Sequence, residues 1–158
     1  MSSTQIDRQE RLAREQTIRA DRLRAYTDFG TAYMDLGLKL GELRGVLGRP
    51  ANNDTLQGVE TKVQDSLVPY QHSLAMLYIV MSSSTNKKLN GINAAMSALW
   101  EGPDSLAPTF NYASTHQIAT DENWPRLANA GVAAIDKFVN DTAIDNFVEA
   151  ARKDLGSG

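Results

Sequence analysis

No proline interrupts the chain between Thr4 and Leu47, and apolar side chains at Ala20, Leu23, Tyr26, Tyr33, Leu36, Leu40, Leu43 and Leu47 recur at helical steps. This spacing predicts one long helix. Thr4, three residues before Asp7, is the expected N-cap, and Gly48-Arg49-Pro50 is the expected stop. At 1.5 Å per residue such a helix is on the order of 65 Å long. It outruns every other helical pattern in the chain, so residues 20–48 are read as its bundle part and residues 1–19 as a charged helical arm.

A second pattern, residues 55–82, runs through Leu56, Val59, Val63, Leu67, Tyr70, Leu74, Leu77 and Met81, with Asp54 or Thr55 as cap. Pro69 lies inside it and removes a backbone donor, which predicts a kink, or a break into two helices, near Asp65 to Val68. Residues 86–101 form a shorter pattern with Leu89, Ile92, Met96 and Leu99 on one face, after a polar Ser82-Ser83-Ser84-Thr85 cap. Residues 102–123 hold two prolines and little periodicity and read as a long connection across an end of the fold. The last helix, residues 124–155, starts with Pro125 in its first turn and carries Leu127, Ala134, Phe138, Ile144, Val148, Ala151 and Leu155 to a stop at Gly156.

No segment reads as a strand. The predicted fold is therefore all-α: an antiparallel four-helix bundle with a long first helix extending beyond it, in one domain over residues 1–158. Short turns are expected to leave neighbouring helices packed together.

Composition narrows the functional classes. Apolar residues make up 42% and charged residues 22%, a globular balance that can bury a core. Without cysteine there is no disulfide framework, thiolate metal site or thiol nucleophile. The expected compartment is the cytoplasm, because the opening Met1-Ser-Ser-Thr-Gln-Ile-Asp-Arg lacks the apolar core of a signal peptide. The longest apolar run, Leu74 to Met81, is too short to span a bilayer, so no membrane partner is expected. A net charge of -3 gives nucleic acid no electrostatic hold.

Two stretches, Arg22-Leu-Arg-Ala-Tyr-Thr-Asp-Phe29 and Asn146-Phe-Val-Glu-Ala-Ala-Arg-Lys-Asp-Leu-Gly156, resemble the soluble helical-bundle domains of uncharacterised proteins from high-GC bacteria (actinobacteria) and their phages. In that group an Arg-rich segment leads into a Tyr-x-x-Phe helix, and the chain closes on an Ala-Ala-Arg-x-Asp-Leu-Gly helix. The resemblance implies a helical bundle and no activity.

The chemistry most often built into a bundle, a di-iron site, needs Glu-x-x-His pairs. His72 and His116 instead follow Pro69 and Ala113 at that spacing, and neither has a second histidine or carboxylate at helical distance. Both read as surface or structural histidines. No nucleophile elbow, phosphate loop or His-Glu-x-x-His pair is present, and no cofactor or metal is expected. Trp100-Glu-Gly102 matches the tripeptide of small secreted helical-hairpin proteins, but the Tyr-x-x-x-Asp/Glu element that accompanies it there is missing, so Trp100 reads as a core residue near a helix end. Gly37, Gly41 and Gly45 repeat along one face of the first helix, each costing roughly 1 kcal/mol of helix propensity. They suggest either a groove or, as the reading adopted, close approach to the third or fourth helix.

The arm alternates signs, with Asp7–Arg11, Glu10–Arg14 and Glu15–Arg19 as i,i+4 pairs in the favourable order. The expected function is a non-enzymatic protein–protein interaction or structural module. Arg8, Arg11, Leu12, Glu15 and Arg19 of the arm would then contact a protein partner or a second copy. The alternative is a small-molecule-binding protein or enzyme whose site lies between helices, gated by residues 102–123 and lined by Tyr70, His72, Phe110, Tyr112, His116 and Trp124.

Overall fold

The computed structural model describes residues 2–142 and 144–156. Among them are six α-helices, one short 3-10 turn and no strand. α1 spans Ser3–Leu47, α2 Asn53–Val80, α3 Ser83–Trp100, α4 Ala107–Ala113, α5 Trp124–Asp141 and α6 Ile144–Asp154, with the 3-10 turn at Ile118–Thr120. The fold is an all-α bundle with a long first helix that runs past it. No helix among the described residues is long and apolar enough to cross a membrane.

Side chains at the helix starts satisfy amides that have no partner within the helix. Ser2 rather than Thr4 caps α1: its hydroxyl accepts from the Gln5 amide at 3.2 Å while the Gln5 side chain accepts from the Ser2 amide at 3.1 Å. Asn52 caps α2 ahead of the expected Asp54 or Thr55, and Ser82 caps α3, so both helices begin two or three residues early.

α2 is one helix through Pro69, so of the kink or break expected near Asp65 to Val68 the break does not occur. Asp65 and Pro69 lie on its exposed side, where water can serve the carbonyl that loses its amide. On the opposite side Val63, Ser66, Tyr70, Ser73 and Leu77 are all buried, which holds the helix in register on both sides of the proline.

The single terminal helix expected over 124–155 is instead two helices, α5 and α6, with Thr142 at the end of the first. Thr142 is buried, accepts from the Tyr33 hydroxyl at 2.9 Å and donates back to the Val139 carbonyl. Ending α5 there lets α6 pack on α3 and carries Phe147 to α1. The 102–123 connection is also partly helical, through α4 and the 3-10 turn.

The core forms around one stripe of α1, where Phe29, Leu36, Leu40, Leu43 and Leu47 are buried together with Val63 and Leu77 of α2, Leu89, Ile92 and Leu99 of α3, and Ile135 and Phe138 of α5. Phe29 joins three helices, its ring centroid 5.5 Å from that of Tyr70 and 5.1 Å from that of Phe147. α1 and α2 make the most extensive pair, α5 packs on α1, and α4 on α5. α3 packs mainly on α5 and α6 rather than on its chain neighbour α2, because Met81 and Ser82 are both extended and redirect the chain.

Residues 2–21 are exposed throughout, and α1 joins the bundle at Arg22, whose Nε donates to the last carbonyl of α2, Val80, at 2.7 Å. Such a contact suits the electronegative end of a helix.

Candidate functional site

The apolar stripe of α1 and the exposed arm share one helical register. Stepping back by four and three residues from the core positions Leu40, Leu36, Tyr33, Phe29 and Tyr26 leads to Arg22, Arg19, Glu15, Leu12, Arg8 and Gln5. Four of the five predicted partner-binding residues, Arg8, Leu12, Glu15 and Arg19, thus continue the core seam into solvent, and Arg11 flanks it. The three expected arm ion pairs are not closed among the described residues; Arg11 instead meets Glu15 at 3.9 Å, in the less favourable order. Leu12 is the only apolar member of this seam, so the arm is built for contact by charge and hydrogen bonding more than for apolar burial.

The six residues of the alternative site do not line one cavity. Tyr70 is 2% exposed and packs against Phe29 in the core, where burial raises its hydroxyl pKa and its oxygen has no hydrogen-bond partner among the described residues. Trp124 is also core, at the start of α5. Phe110 borders a shallow cleft against Asn53 and Glu60. His72 lies elsewhere, on the exposed side of α2.

Tyr112 and His116 stack face to face with ring centroids 3.8 Å apart. The Tyr112 hydroxyl donates to both oxygens of Asp121, at 2.7 and 2.8 Å. This bond holds the Asp121 carboxyl below its usual range and raises the tyrosine pKa. Asn53, the first residue of α2, clamps the same segment: its amide group donates to the Ala113 and His116 carbonyls and its oxygen accepts from the Ile118 amide, all within 3 Å. The connection is therefore fastened to the start of α2.

A second polar junction was not anticipated. Asp154 at the end of α6 accepts from the Tyr26 hydroxyl, the Ser82 amide at 3.2 Å and the Thr85 hydroxyl at 3.0 Å. Partial burial pulls its pKa up, but the bonds from Ser82, Tyr26 and Thr85 outweigh that and hold it below the ordinary carboxylate value. Burial, followed by the bond to Asp154, pushes the Tyr26 hydroxyl up to about 12. The junction ties α1, α3 and α6 together. Its only sequence cue is the serine-threonine cap at 82–85, which does not name the acid that meets it.

The glycine repeat of α1 is corrected by the structure. A Cβ added at Gly37, Gly41 or Gly45 meets nothing within 4 Å, so these residues approach no neighbouring helix. They lie on the exposed side of α1, beside Met34 and Leu38, which are 69% and 68% exposed. The close approach is at Gly131 of α5, where a Cβ would stand 2.9 Å from Leu47 Cδ1 and 3.1 Å from Thr109 Oγ1.

A groove of about 840 Å³ lies between α1 and α2. Asp21, Asp28 and Asp35 line its α1 wall, and Pro69, His72, Met76 and Ile79 its α2 wall. Asp35 shares Lys39 at 4.0 Å, whereas Asp21 and Asp28 have no ion-pair partner among the described residues. No group of three or more histidine and carboxylate side chains among the described residues is placed to hold a metal. No family model, curated protein or solved structure matches the chain.

Proposed function

We propose that this protein is a non-enzymatic interaction module, in which the bundle is a rigid base and the arm of α1 engages a protein partner or a second copy of the chain. The observation that carries this reading is the run of residues 3–21, wholly exposed, helical, and in phase with the core seam at Arg8, Leu12, Glu15 and Arg19. A helix of this length gains little from propensity alone in water, so its order draws on the bundle to which α1 is continuous. The polar seam favours a reversible contact over an obligate coiled coil, which needs apolar residues at both repeating positions. The six residues proposed for a small-molecule site are spread over separate parts of the surface and core, which favours the arm over that alternative.

Removing residues 1–19 tests the proposal. The shortened chain should keep its helical far-ultraviolet spectrum and cooperative melt while losing self-association by sedimentation, or capture of a partner from the source cell. Unchanged association would remove the arm from consideration, and an unfolded product would make it part of the core.

A further inference from the structure

Beyond the arm, we propose that the groove between α1 and α2 is a docking site for an amphipathic helix carrying a row of basic residues along one edge. The floor is made of small side chains: Ala25 and Ala32 are buried in the wall of α1 and spaced seven residues apart, so a visiting helix can approach closely. On one lip Asp21, Asp28 and Asp35 repeat at the same seven-residue interval, which places successive carboxylates about 10.5 Å apart along one face. On the other lip Ile79 is 76% and Met76 49% exposed, an apolar edge that no element among the described residues covers. A groove with an apolar edge opposite a periodic charged edge has the form used to receive an amphipathic helix.

Charge selects the occupant. Three carboxylates face the opening against one guanidinium, Arg24, and two of the three have no ion-pair partner among the described residues. An arginine or lysine at every seventh position of the visitor meets them in register, as flanking charges do between paired helices. A second copy is disfavoured here, because the same seven-residue row of its α1 reads Asp7, Arg14, Asp21, Asp28 and Asp35, one arginine among four aspartates. The visitor is accordingly a different protein segment, with leucine- or methionine-sized residues toward Met76 and Ile79.

The test uses the full chain and a fluorescein-labelled helical peptide of about 20 residues, with arginine at every seventh position and leucines on the adjoining stripe. Anisotropy should show saturable binding that weakens with salt. Replacing the arginines by glutamate should abolish it. The triple variant Asp21→Asn, Asp28→Asn, Asp35→Asn should weaken binding about tenfold, given the small contribution of each exposed pair. Ile79→Ser with Met76→Ser should weaken it at all salt concentrations, with the helical spectrum and melt unchanged in both variants. Arg8→Ala with Arg11→Ala in the arm should leave binding unaltered. The proposal is overturned if the arginine peptide fails to bind at millimolar concentration, if the glutamate peptide binds equally well, if the asparagine variant binds as the parent does, or if the arm variant alone loses binding. It is likewise overturned if the lone chain already sediments as a dimer that Ile79→Ser dissociates.

Discussion

The Tyr26 hydroxyl donates to the carboxylate of Asp154, a hydrogen bond between residues 128 positions apart that joins the middle of α1 to the end of α6. The same carboxylate oxygen also accepts from the amide and side chain at the start of α3. Because the folded-state pKa of Asp154 is depressed, its contribution is present above the unfolded-chain value and is lost as pH falls through the folded-state value. Asp154→Asn should cost about 1–2 kcal/mol near neutral pH, nearer the lower figure because solvent reaches the carboxylate. Thermal melts should show the variant's deficit shrinking below about pH 4, where the parent also protonates. A deficit that persists undiminished in acid would place the effect in packing instead of charge.

Asn53 makes three hydrogen bonds to the segment from Ala113 to Ile118. Asn53→Ala should therefore raise amide hydrogen exchange at Ile118 and its neighbours, at a cost of about 1–2 kcal/mol, while amides in the buried stretch of α1 keep their protection. Uniform loss of protection would show that the connection and the bundle open as one unit.

Two glycines in helices should respond oppositely to alanine. At Gly41 the added methyl meets open space, so Gly41→Ala should stabilise the chain by about 0.5–1 kcal/mol through helix propensity. At Gly131 the methyl crowds Leu47 and Thr109, and the Thr109 hydroxyl is committed to the Leu127 carbonyl at 2.9 Å. Gly131→Ala should lower stability by about 1–3 kcal/mol despite the same propensity gain. Denaturant melts of the two variants decide it.

Pro69 is tolerated in α2 because the carbonyl it deprives, that of Asp65, lies on the exposed side. Restoring the amide with Pro69→Ala should raise stability by about 1–2 kcal/mol, the helix gain being partly offset by a more flexible unfolded chain. A loss on substitution would mean that the proline ring supports packing against α1.

These outcomes bear on what the residue pattern alone made legible. The stripe through Leu36, Leu40 and Leu43 was readable because helical periodicity records burial directly, and the stops at Gly48 and Gly156 because their chemistry is local. Gly156, with φ of +71°, occupies backbone space that other residues rarely adopt. The end of α5 was hidden: no proline or glycine marks Thr142, and only the polar run Asn140-Asp141-Thr142 interrupts the apolar steps between Phe138 and Phe147. Of the kink or break expected at Pro69, the break did not follow, since a rule about one lost hydrogen bond does not say which side of the helix loses it. Asp154 and Asn53 were invisible for a different reason, because both act across folded distance and no spacing along the chain announces it. The acidic row at Asp21, Asp28 and Asp35 has a visible seven-residue spacing, but only the position of α2 turns it into the edge of a groove.

Arg22 fixes where α1 leaves the bundle, and no glycine or proline lies between it and Ser2. The arm is thus a spacer with a set bearing as well as a set reach of about 30 Å. Inserting one residue between Ala20 and Asp21 would swing everything beyond it by about 100° while moving it only about 1.5 Å, and inserting seven would nearly restore the bearing while adding about 10 Å. A receptor that reads the direction in which Arg8 and Arg19 point should reject the first insertion and accept the second. One that merely tethers the bundle at the end of the arm should accept both.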